Sequence, residues 1–231
     1  MSNAEPTLQE MADRGETHAL ENRWLDIIDR PDLDRRQLLD VLATLVKRPA
    51  LDTAQTLAWS WLASTREKAD PADALDLGRE LLLICGDNPD LRNDVLELYR
   101  IVHADHPSLE PLLDAAGLAG AKSPRRALRT LDICLRLRPG DYLIDRTSDR
   151  AAQVVAIEPE TAAFTLRIGQ QVESFDPDAL ALAFDPVEPN DFRVLGQLHP
   201  DRLIELADSD PAALVIGVLQ SRHGRIDSDH L

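Results

Sequence analysis

At 231 residues the chain falls between one and two domain lengths, and 44% hydrophobic with 29% charged residues is an ordinary globular mixture that excludes wholesale disorder. Aromatic residues make up only 4% while Leu and Ala dominate, a balance that favours helices over a sandwich built from Val, Tyr and Phe. A formal net charge of -16 excludes broad wrapping of DNA or RNA, because a phosphate backbone meets a repulsive long-range field; any nucleic-acid contact is local.

Residues 1–16 are polar and acidic, without a signal-peptide core, and predict a disordered tail. No apolar stretch in the chain reaches the roughly 18 residues of a membrane span. Helix-start signals then recur at Thr17, Asp34, Asp52, Asp70, Asn88, Ser108 and Ser123, each a side chain able to accept a bond from an orphan N–H ahead of an apolar-periodic run. Pro71, Pro89 and Pro124 follow three of them at the first helical position, where a missing N–H does no harm. Alternate caps lie 36 residues apart, from Asp34 to Asp70 and from Asp52 to Asn88, so the repeating unit is a pair of helices. Residues 17–137 are thereby expected to form a TPR/HEAT-like α-solenoid of helical hairpins, although the tetratricopeptide consensus itself is not legible. The stripes agree: Ala54, Leu57, Ala58, Trp61 and Leu62 share one helix face, as do Leu91, Val95, Leu98 and Val102. Cys85 and Cys134 each sit in an apolar helical run and read as small buried thiols, which fits a reducing cytoplasm.

The last of these helices, Pro124 to Leu137, is two-faced. At 100° per residue, Lys122, Arg125, Arg126, Arg129 and Arg136 share about a third of the circumference, while Ala127, Leu128, Leu131, Cys134 and Leu135 lie opposite. The bland reading pairs these cations with Asp and Glu of neighbouring helices. The functional one makes them a candidate partner-binding strip for an acidic protein surface or a nucleic-acid backbone.

After Leu137 the grammar changes. Arg138-Pro139-Gly140-Asp141 is a turn, and short β-rich runs follow at Tyr142 to Asp145, Gln153 to Ile157, Ala163 to Ile168 and Gln171 to Phe175. Residues 138–187 are expected to form a small SH3-like or Tudor-like barrel of four or five strands. A C-terminal helical segment, 188–231, completes the chain, with start signals at Pro200-Asp201 and Asp210-Pro211; an earlier one stands at Asp176-Pro177.

Chemistry is sparse. His103 and His106 can share a helix face as metal ligands, but Pro107 ends the helix there and imidazoles at a C-terminus complement its dipole. Acidic pairs such as Glu158 with Glu160 and Asp208 with Asp210 fall at turns and caps, where solvation and helix starting are their ordinary roles. No nucleophile elbow, phosphate-binding glycine loop, zinc-protease helix or calcium loop occurs, so the chain reads as non-enzymatic, with neither a metal nor a cofactor expected.

The phrases RPGDYLIDR (Arg138 to Arg146), DPVEPNDFRVL (Asp185 to Leu195), LHPDRLIEL (Leu198 to Leu206), DPAALVIGVL (Asp210 to Leu219) and HGRID (His223 to Asp227) resemble the long N-terminal extension of large bacterial Gre-type transcription elongation factors. The resemblance runs from about Pro107 to the end. It implies a non-catalytic, cytoplasmic interaction module that docks on RNA polymerase or an associated protein. The chemistry of that family resides in a later coiled-coil hairpin with an acidic tip, followed by an FKBP-like domain. Neither has matching positions here, and the last residue, Leu231, falls just after Asp227 or Ser228 would cap a new helix, which predicts a fragment or a truncated relative. The rival reading is a helical-repeat protein–protein scaffold unrelated to transcription.

Overall fold

Helix caps written into the sequence set the first half of the fold. The computed structural model describes residues 6–30, 34–86, 88–120 and 123–210, together with 212 and 217. Its chain divides into two compact units, Met1–His106 with Gly117–Leu128, and Pro107–Ala116 with Arg129–Leu231.

The first unit is helical. Residues Leu8–Arg14 form α1, where a disordered tail was expected. Thr7 accepts from the Glu10 N–H while the Glu10 carboxylate accepts from the Thr7 N–H, a reciprocal box, and Gly15 closes the helix with φ 73°. Leu8, Met11 and Ala12 are buried, so this short helix is anchored by packing rather than by propensity. There follow α2 (Thr17–Ile27), α3 (Arg35–Val46), α4 (Leu51–Lys68), α5 (Pro71–Cys85) and α6 (Pro89–Val102). Asp34, Asp70 and Asn88 cap their helices through side-chain bonds as expected. Thr17 and Asp52 do not: Thr17 is already the first residue of α2, and Asp52 lies in the first turn of α4, where its carboxylate faces the positive end of the helix dipole.

Packing joins neighbours and next-but-one helices: α1 on α2 and α3, α3 on α4 and α5, α4 on α5 and α6, α5 on α6, and α2 on α4. Cross-links repeat that offset, with Gln9 donating to Thr44, Ser64 to Asp29 and Trp59 to Asp94, each pair 35 residues apart. Trp24 and Trp61 meet edge to face at 5.9 Å, fully buried, and the Trp24 indole N–H donates to the Leu57 carbonyl at 3.1 Å. That bond removes the penalty a buried indole N–H would otherwise carry.

The second unit holds α7 (Leu109–Ala116) and the later half of α8 (Pro124–Cys134), then β1 (Tyr142–Asp145), β2 (Ala151–Ile157), β3 (Phe164–Ile168), β4 (Gln171–Phe175), α9 (Pro177–Ala183), β5 (Phe184–Val187), α10 (Phe192–Leu198) and α11 (Pro200–Ser209). Expected to run to Leu137, α8 ends at Cys134; on it Ala127, Leu128, Leu131 and Cys134 are buried and Arg125, Arg126 and Arg129 exposed, while in the turn that follows Leu135 is buried and Arg136 exposed. The sequence places a boundary at 137/138, whereas α7 and residues from Arg129 onward go with the sheet. The cause is packing on α9, which touches α7, while Thr130 bonds Asp178 and the Cys134 thiol bonds the Pro177 carbonyl.

The five strands form one antiparallel sheet in the order β4-β3-β2-β1-β5, with α9 inserted between the sequentially adjacent β4 and β5. Alternation gives it two faces. Leu143, Ala152, Val154, Phe164, Leu166 and Phe184 are buried on one. On the other, Ile144 and Ala151 pack against Val194 of α10, with Tyr142, Val187 and Leu198 around them. Strand β5 and helix α10 lie inside the expected segments, 138–187 and 188–231, but none of the runs or start signals above marks either one individually. FDPV carries a Pro that suits only an edge strand, and α10 is announced by a single cap, Asp191, which accepts from the Arg193 N–H. The start signal at Asp210-Pro211 falls largely outside the described residues.

Candidate functional site: an arginine and aspartate cleft beside the sheet

Beside the β1–β5 edge of the second unit lies a cleft of about 830 Å3, lined among others by Arg136, Tyr142, Arg146, Asp185, Glu188 and Arg193. The β1–β2 hairpin forms one wall. Its loop is shaped by Asp145, whose carboxylate accepts from the N–H groups of Thr147 (2.7 Å) and Ser148 (2.9 Å). Those bonds, the one from Ser148 foremost, outweigh desolvation and hold the Asp145 carboxyl below the usual range. Gln197 of α10 clips the same loop, donating to the Asp149 carbonyl and accepting from the Ala151 N–H.

Two guanidinium clamps organise the charge. Arg146 meets Asp185 side-on, Nε to Oδ2 at 2.9 Å and Nη2 to Oδ1 at 2.6 Å, and also donates to the carbonyls of Leu182 (2.8 Å) and Phe184 (3.0 Å). It thus ties β1 to the end of α9 and to β5, bringing together residues 39 apart in sequence. Arg193 holds Asp191 with Nε at 3.0 Å and Nη2 at 2.9 Å, and reaches Asp149 at 3.1 Å. Planar two-point pairing of this kind is what a guanidinium offers and an ammonium does not. The Arg146 bonds, followed by the nearby charges of Arg146, Arg129 and Arg193, lower the pKa of Asp185 against its partial burial. Burial is the largest influence on Asp191 and opposes ionisation, but Arg193 and the backbone N–H groups of α10 overcome it, and this carboxyl too titrates low. Deeper in, the Tyr142 hydroxyl lies 2.8 Å from His199 Nε2, the rings edge to face, and Gln153 donates to that hydroxyl at 3.3 Å.

Chemically, the cleft sets the carboxylates of Asp185 and Asp191, both held below the usual range, against the guanidiniums of Arg146 and Arg193. Among the described residues, no group of three or more His, Cys, Asp and Glu side chains is placed to hold a metal ion. His103 instead ends α6 and stacks on Tyr99 at 5.8 Å. Both cysteines are buried and unpaired, and burial pushes each thiol up to about 12, with Asp176 and Asp178 adding to the effect at Cys134.

The predicted strip is only partly gathered here. Arg136 lines the cleft, and Arg129 approaches Asp185 at 3.7 Å, an ion pair with a strand, β5, where the bland reading expected partners on neighbouring helices. Arg125 and Arg126 are exposed on the stretch of α8 that belongs to the first unit, and Lys122 lies outside the described residues. Sequence reasoning missed Arg146, Asp149, Asp185, Asp191 and Arg193. A usable signal for two of them was Asp191-Phe192-Arg193, a cap residue with an Arg two positions on.

Comparisons with protein-family models, with curated proteins and with solved structures give no match to this chain.

Proposed function

We propose that the chain is a non-catalytic interaction module of a Gre-like transcription elongation factor, working in the cytoplasm and docking on RNA polymerase or an associated protein. The observation that carries this reading is the exposure of Arg125, Arg126 and Arg129 on α8 and of Arg136 in the turn after it, in a chain of formal charge -16. Cations kept at the surface against such a background favour a partner that is itself acidic at the contact. The resemblance of the phrases from Arg138 onward to the Gre-type extension supplies the transcription half of the proposal. Support for an SH3-like barrel comes from the strand order, in which the first and last strands pair and a helix separates the fourth from the fifth. Two unpaired buried thiols suit a reducing compartment.

A retention assay on immobilised RNA polymerase tests it. The full chain should be retained, and Arg125→Glu and Arg136→Glu together should reduce retention by at least about tenfold, with a steep loss on raising salt. No retention of the unaltered chain would remove the transcription reading.

The rival is a helical-repeat scaffold of TPR/HEAT type, with no link to transcription. It is favoured by the next-but-one packing of α1 to α6 and by three side-chain cross-links that share an offset of 35 residues. Retention unaffected by either Arg substitution but lost on altering the first unit would select it.

A further inference from the structure

The two edges of the sheet are built differently. At one edge β5 carries Pro186, which has no N–H to offer, and Asp185 beside it is clamped by Arg146. At the other edge, β4 has no Pro and no bulge, and among the described residues no strand pairs with its outer side. Gln171, Val172, Glu173 and Ser174 are all exposed, Val172 to 61%.

The hairpin fixes which backbone groups face outward. Ile168 pairs with Gln171 across the two-residue loop Gly169-Gln170, and of the two only Gly169 takes a positive φ, 61°, the signature of a type II′ turn. In such a hairpin the pair flanking the turn exchanges both hydrogen bonds, and every second pair after it does the same. Gln171, Glu173 and Phe175 therefore spend their N–H and C=O on β3. Val172 and Ser174 point theirs away from the sheet, two donor–acceptor sets at the spacing a further strand requires. Between them stands Glu173, on the face that Leu166 shares, where a residue of an added antiparallel strand would meet it in a close, non-hydrogen-bonded pair.

We propose that β4 is a docking edge for an extended peptide segment with a Lys or Arg between β-branched residues, taken up as a sixth, antiparallel strand. Glu173 selects the basic residue, Val172, 61% exposed, receives an apolar side chain, and the chain's charge of -16 draws in a cationic segment. The same Glu173 disfavours a second copy of this chain. The two-fold register that uses both outward sets would place one Glu173 directly opposite the other. The proposal concerns a different surface from the arginine cleft and does not depend on a role in transcription.

The test is a titration of the full 15N-labelled chain with an acetylated nine-residue peptide that alternates Thr and Val about one central Lys, compared with its central-Glu counterpart. Shift changes and slowed amide exchange should concentrate at Val172 and Ser174, and the central-Glu peptide should bind about three- to tenfold more weakly. Glu173→Lys should reverse that preference. Val172→Pro, which removes an outward N–H at a position where an edge strand accepts Pro, should abolish binding with the circular dichroism unchanged. If that variant fails to fold, the reversal by Glu173→Lys still decides. The proposal is overturned by equal binding of both peptides before and after Glu173→Lys, by shifts centred away from β4, by absence of binding, or by a concentration-dependent dimer of the unaltered chain that Val172→Pro dissolves.

Discussion

Replacing Arg146 with Ala should loosen the sheet edge in a way that can be worked out from its four bonds. Asp185 is 56% exposed, so the side-on ion pair is screened and counts for less than about 1 kcal/mol. The bonds to the Leu182 and Phe184 carbonyls come from a charged donor that is itself only 24% exposed, and each contributes about 1 kcal/mol net. Together Arg146→Ala should cost about 2–3 kcal/mol, which corresponds to about 30- to 150-fold faster exchange of the Asp145 amide, whose N–H bonds the Arg150 carbonyl. The effect has a pH signature. Because Arg146, helped by Arg129 and Arg193, depresses the folded-state pKa of Asp185, the contribution is fully present above the unfolded carboxylate value and is lost as pH falls through the folded one. Exchange corrected for its intrinsic rate should therefore differ most between the two chains near neutrality and converge in part below about pH 4. A difference under threefold at neutral pH, or one that stays constant into acid, would refute the clamp.

Two further outcomes test the helical packing. Leu131→Ala, at a fully buried position of α8, should destabilise by about 2–5 kcal/mol, whereas Arg125→Ala on the exposed face should change stability by less than about 0.5 kcal/mol in the same urea titration. At Gly78 an added Cβ would lie 2.7 Å from Val95 Cγ2, so Gly78→Ala should cost about 1–3 kcal/mol through overpacking of α5 on α6. Adding Val95→Ala should recover part of that loss, and tryptophan fluorescence can follow it, because Trp24, Trp59 and Trp61 all lie in the helical unit.

Local grammar carried the helices furthest. Asp70-Pro71 and Asn88-Pro89 each place a side-chain acceptor and a residue without an N–H at adjacent positions, and both start helices where expected. Of the stripe Leu91, Val95, Leu98 and Val102, the first three mark the buried face of α6, while Val102 at its last turn is only half-buried. The failures have equally local causes. Low hydrophobicity made residues 1–16 read as a tail, yet the Thr7–Glu10 box and Gly15 were present in the sequence as start and stop signals. Strand β5 is four residues long with a Pro inside it, and no period can be recognised over so short a span; only pairing with β1 gives it strand geometry.

The cleft was illegible for a different reason. Its bonds join Arg146 to Asp185 and Arg193 to Asp149, 39 and 44 residues apart, and neither separation is a helix or strand period. These residues meet because β5 returns to pair with β1 and because α10 lies over that pair, facts fixed by the sheet's topology. Arg146 with Asp185 and Arg193 with Asp191 are residues whose charges are already spent on one another. Side chains clamped in this way have little left to offer a partner, so the proposed docking depends on groups not committed to the clamps. Arg136 is the sharpest of these, exposed and lining the cleft at the end of the basic face. In the proposed retention assay, a loss on substituting Arg146 could arise merely from disturbing the edge, whereas Arg136→Glu leaves the clamps intact and asks the docking question directly.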